Sequence, residues 1–218
     1  MIVYLHTVEK IDKARTFARH ERSDVRHIGV PPGIDVRLLA KYVVRQFSEE
    51  EQKNPEGLIE LLLINSEGNS GELYLGGAAS EGSYVYIGNA VPFGRSFARL
   101  LMPPRKGGQG VEIHGCAVAA PEIDPRTGSI RDAESGLRFI FALACGFNSR
   151  VRASREPLGS ENNDYFGESL AEAYPSDGDW QDNVITKFDF DAVGRFSPRH
   201  DSILKGRFVP DIRRLPVP

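Results

Sequence analysis

The sequence predicts an α/β fold: a mainly parallel sheet flanked by helices on both faces, followed by a C-terminal β-containing extension. Two observations carry this. Short apolar runs alternate with amphipathic stretches up to about residue 154, the pattern of strands joined by crossover helices. One run, Leu58–Ile64, is apolar almost throughout, as a central strand covered on both faces must be.

Taken in order, Ile2–Leu5 reads as a buried strand and Glu9–His20 as a polar helix with Ile11, Ala14, Phe17 and Ala18 at helical spacing. Val25–Val30 is a second strand, closed by the turn signal Pro31-Pro32-Gly33. Asp35 offers a side-chain oxygen to the first unpaired N–H groups of the next helix, whose apolar stripe is Val36, Leu39, Ala40, Val43 and Phe47. A polar loop, Ser48–Glu56, leads to the central strand. Glu72–Leu75 and Tyr84–Ile87 read as a hairpin. Phe93, Phe97, Leu100 and Leu101 mark a third helix that stops at Met102, before Pro103-Pro104.

Val111–Ile113 is a further strand, reached through Arg105–Gly110. Its Gly107-Gly108-Gln109-Gly110 lacks the Lys-Ser/Thr ending and the following helix of a phosphate loop, so it reads as a flexible connection. A polar loop, Glu122–Asp132, precedes a fourth helix on which Leu137, Ile140, Phe141, Ala144 and Cys145 align. Arg150–Ser154 is the last strand of the series. Past Gly159 the texture is loop-like, with a short helix expected at Glu168–Tyr174. An alternating half-buried strand, Val184–Phe190, is expected to pair through a turn at Ala192–Arg195, and a Pro-rich tail follows. The organisation expected is therefore a domain over residues 1–159 and an extension over 160–218.

Composition excludes several function classes. A net charge of -3 gives no general attraction to nucleic acid or to an acidic membrane. No apolar run approaches the roughly 20 residues of a membrane span. The N-terminus has no basic flank and no small-residue cleavage pattern, so no secretion signal is read. Two cysteines in different elements make no disulfide framework. The expected compartment is the cytoplasm, although export without a cleavable signal is compatible with the same features. His6, His20, His27 and His200 have no ligand-like spacing, so no metal and no cofactor are expected.

In an open α/β sheet, chemistry gathers beyond the carboxyl ends of the strands. Two loops there stand out: Ser66-Glu67-Gly68-Asn69-Ser70-Gly71-Glu72-Leu73-Tyr74-Leu75-Gly76 and His114-Gly115-Cys116-Ala117-Val118-Ala119. With Ala153-Ser154-Arg155-Glu156-Pro157-Leu158-Gly159 they form an ordered set, each at a strand end. Over residues 1–159 this set resembles the caspase-like cysteine peptidases. It is most similar to a bacterial branch, found at the head of very large surface proteins, whose pattern is Ser-His-Gly-x-x-Gly-x-Leu-x-Leu-Gly, apolar-Tyr-Gly-Cys-x-Val-Ala, and Ala-Ser-x-x-x-Leu/Thr-Gly.

The resemblance implies that Cys116 holds the nucleophile position and that Glu67 stands where the family has its catalytic histidine. It also implies a cleft bordered by Ser66, Gly68 and Gly115. A basic residue near the last strand, Arg152 or Arg155, would help hold an acidic side chain; the plain alternative is a solvated strand edge. Glutamate is a poor replacement for the histidine. A carboxylic acid titrates near ~4.3 and a thiol near ~8.5, so the proton transfer runs about four units uphill. A carboxylate also disfavours a thiolate beside it.

His114 is the other base within sequence reach. Two residues along an extended strand place it on the same face as Cys116, but roughly 6–7 Å away. The alternative is that it fills a position where the family prefers tyrosine. Cys116 itself reads either as a nucleophile or as a small buried residue, and Cys145 as core. The expected function is a catalytically inactive module that binds a protein or peptide, with self-association through the Pro-rich tail open. The alternative is a cysteine peptidase or self-processing protein using Cys116 with a non-standard base.

Overall fold

A computed structural model of the chain describes residues 1–7, 25–76, 82–155, 169–175 and 186–189. The helix expected over Glu9–His20, the motif residues Leu158 and Gly159, the Ala192–Arg195 turn and the Pro-rich tail lie outside the described residues.

Six strands make a mostly parallel sheet in the order β2-β1-β3-β7-β10-β11, and β12 adds a seventh. They are β1 (Ile2–Thr7), β2 (Val25–Val30), β3 (Leu61–Asn65), β7 (Gly110–His114), β10 (Val151–Ser154), β11 (Ser169–Ala173) and β12 (Thr186–Asp189). All pairs from β2 to β10 are parallel, whereas β10–β11 and β11–β12 are antiparallel. Residues Ser169–Ala173 are thus a strand rather than the short helix expected there. Leu170 and Ala173 gain more from the register against Ser154 and Val151 than one helical turn could give them. The sheet therefore draws strands from both sides of residue 159.

The registers sort the sheet residues into two unlike faces. Val3, Leu5, Ile28, Leu62, Ile64, Val111, Ile113, Val151 and Ala153 share one face and belong to a single apolar core. Helices α1 (Leu39–Arg45), α3 (Ala90–Phe97) and α4 (Ser135–Phe147) contribute to that same core. Among the described residues, helices therefore line one face only. The opposite face carries Tyr4, His6, His27, Glu112, His114, Arg152 and Glu172, side by side across the strands.

Helix α4 is buried on nearly every side, including Phe139, Ala142, Leu143 and Phe147 beyond the expected stripe. This suits a helix held between the sheet and α3. The two helices cross backbone to backbone: a Cβ on Gly94 would lie 2.6 Å from Phe147 N, and one on Gly146 2.6 Å from Val91 O. Cys145 is only partly buried, packed against the core rather than within it.

Three segments read as loops have structure. Ser48–Glu56 contains helix α2 (Glu49–Lys53), closed by a reciprocal Ser48/Glu51 capping box. Glu51 also receives Arg26 of β2 at 2.7 Å, and that guanidinium holds the carboxyl down at about 2. The Ser-x-x-Glu signature was present in the sequence. Asp35 does cap, but a 3-10 turn at Val36–Leu38 that leads into α1. The segment after β3 forms β4 (Glu67–Asn69), which joins the expected hairpin of β5 (Glu72–Tyr74) and β6 (Tyr84–Tyr86) in a three-stranded sheet. Glu122–Asp132 forms a hairpin, β8 (Glu122–Ile123) with β9 (Ile130–Asp132).

Two ends also differ from expectation. Helix α3 stops at Phe97, because Leu101 bridges to Ile59 alongside the sheet, which leaves β3 to begin at Leu61. No described helix is long and apolar enough to cross a membrane.

Candidate functional site

The site follows from one pairing. β3 and β7 are adjacent and parallel, with Asn65 opposite His114, so their outgoing loops leave the sheet side by side. The contact is close. A Cβ on Gly68 would meet Val118 Cγ2 at 2.7 Å and Cys116 O at 3.4 Å. A Cβ on Gly115 would meet Val118 Cγ2 at 2.9 Å and Ser66 O at 3.4 Å. Glycine at both positions lets the two loops touch. Ser66 is buried and its hydroxyl donates to Glu67 O at 3.0 Å, which turns it to the backbone. Glu67 is exposed at the start of β4, opposite Tyr74.

Cys116 is half-buried in the turn that follows β7. Ala117 adopts φ +50°, a conformation that costs a non-glycine residue of order 1 kcal/mol or more and persists only where its surroundings enforce it. The surroundings here are specific. Gly71 N donates to Val118 O at 3.0 Å, Ser70 Oγ to Ala120 O at 2.7 Å, Ala119 N to Ser154 O at 2.9 Å, and Gly136 N to Ala120 O at 3.1 Å. The β4–β5 turn, β10 and the start of α4 thus hold the cysteine turn from three sides.

His114 does share the strand with Cys116, but its ring is engaged on the polar face of the sheet. Nδ1 lies 3.4 Å from Tyr4 Oη and Nε2 lies 3.4 Å from Glu112 Oε2, with the ring edge-on to Tyr4. Each ring nitrogen has a partner there, on β1 or β7.

That polar face continues in both directions. Toward β2, His6 Nε2 and His27 Nδ1 are 2.9 Å apart and their rings stack within 12°. His6 is fully buried. Burial first, and then the neighbouring His27 and His114, push its pKa down to about 3. Sequence spacing alone gave no reason to join these two histidines. The register Tyr4↔His27 does so, and alternation along β1 brings His6 to the same face.

Toward β11, Arg152 reaches Glu112 at 3.1 Å and Glu172 at 3.0 Å, and Arg150 reaches Glu172 at 3.4 Å. The 3.0 Å contact is a charge contact rather than an aligned hydrogen bond, since Arg152 Nε lacks hydrogen-bond geometry toward Glu172. Tyr174 donates to Glu172 at 2.8 Å, and burial together with that carboxylate raises the phenol. Burial opposes ionisation of Glu112, yet His114, Arg152 and Arg150 outweigh it and hold its carboxyl below the ordinary value. Arg152 is therefore part of this network and not of the cysteine site.

Arg155 differs. It lines a cleft of about 660 Å³ beside the cysteine turn, with Ser70, Ala117, Ile87, Ile123 and Arg138 among the other walls. Its Nε is buried and has no hydrogen-bond partner among the described residues. The structure thus brings together Ser66, Glu67, Gly68, Gly115 and Cys116, sets Arg155 in the adjoining cleft, and places His114 and Arg152 in the network on the sheet face. The sequence reading takes Glu122–Asp132 as a loop and so does not predict the cleft's walls, which β8 and β9 help to form. Alternation of Ile123 and Ile130 about a Gly-containing turn was the available signal.

No family model, curated protein or solved structure matches this chain. The functional reading rests on the site itself and on the motif resemblance.

Proposed function

We propose that this chain is a caspase-like module that binds a protein partner at the cleft beside Cys116 and carries out no peptide-bond chemistry. One observation carries the reading: the loop that touches the cysteine turn presents Glu67 rather than a histidine, while both nitrogens of His114 are taken up by Tyr4 and Glu112. Thiol catalysis needs a base that accepts the thiol proton and returns it to the leaving amine. A carboxylate in that position does this poorly and opposes the thiolate electrostatically. The motif order, the contact between the two loops and the cleft with Arg155 support a retained binding site without its proton shuttle.

The test is chemical. A peptide bearing a thiol-reactive group, incubated with the full chain at neutral and alkaline pH and mapped by mass spectrometry, should leave Cys116 unmodified beyond the rate of a simple thiol. Rapid modification of Cys116 but not Cys145, abolished by Cys116→Ala, would overturn the proposal. The result would then favour the second reading, a cysteine peptidase with a non-standard base. One feature favours that alternative: the left-handed Ala117 beside Cys116 retains a backbone cost of the kind found at working nucleophile turns.

A further inference from the structure

We draw no further inference here: the strongest candidate, the exposed apolar patch of Tyr86, Ile87, Ile123 and Ile130 at the cleft beside the cysteine turn, carries nothing because Glu72 and Glu122 line that cleft as well as Arg155 and nothing in the structure shows what covers it.

Discussion

Lowering the pH from about 7 to about 5 should destabilise the fold by roughly 2 kcal/mol through His6 alone. In the unfolded chain this imidazole has its ordinary pKa of 6.5, and in the fold it is pushed down to about 3. The causes, largest first, are burial and then the charges of His27 and His114. The groups around it in the described structure are Tyr4, on its own strand, together with His27 and His114. When Nε2 donates to His27, Nδ1 is left as a buried lone pair without a partner among the described residues. Protonating it would create an unpaired buried N–H beside a second imidazole.

The sign follows from proton counting. Between about pH 6.5 and 3 the unfolded state binds the extra proton and the folded state does not, so stability falls as the pH falls. Above the unfolded value the full stability is present. At about pH 5 the loss is about 1.5 units, worth roughly 1.4 kcal/mol each, and the result hardly changes for any folded value below about 4. Urea denaturation reads this as a midpoint lower by about 1 M, for a slope of about 2 kcal/mol per M. His6→Asn should lose most of the pH dependence in this window, whatever its stability at pH 7. If parent and variant lose stability equally between pH 7 and 5, to within about 0.5 kcal/mol, His6 is not held neutral by the fold and the account of the polar face is wrong.

Other expectations are open to the same measurements. Glu172→Gln should cost about 2–4 kcal/mol in urea denaturation, because it strips charge from a buried carboxylate that Arg150, Arg152 and Tyr174 all share. Gly136→Ala should destabilise by at least about 2 kcal/mol: the new Cβ would lie 2.4 Å from Ala119 C and 2.5 Å from Ala120 O, backbone atoms that cannot swing aside. Ala117→Gly should be neutral or stabilising by up to about 1 kcal/mol, since glycine takes φ +50° without steric cost; a loss of stability would mean that the methyl group itself packs usefully.

Much of the sheet was legible in the sequence, because its strands announce themselves locally. Leu62, Ile64, Val111 and Ile113 are apolar wherever the core demands it, and α4 carries its burial in its composition. The site's two loops were legible for a related reason: Gly68 and Gly115 leave a mark in the sequence because only glycine permits that approach of the backbones. What escaped notice was short or polar. The segments at Glu49–Lys53 and Ser169–Ala173 owe their form to partners elsewhere, to Arg26 on β2 and to β10, and Glu122–Asp132 is closed by a pair between its own ends, Asp124 with Arg131. Segments of that length have too little intrinsic preference to declare themselves.

The sequence by itself determined the alternation of strands and helices, the positions of Cys116 and Glu67 at two strand ends, and the presence of an acid where the motif resemblance would place a proton shuttle. Tertiary structure alone decided which side chains share a face. Register set His6 against His27, carried His114 to Tyr4 and Glu112, drew Arg152 into the Glu112–Glu172 network and left Arg155 in the cleft. The physical reason is that burial and periodicity act along the chain and can be read along it. Pairing of polar groups acts across strands, and its partners are fixed only once the hydrogen-bond ladders have chosen a register.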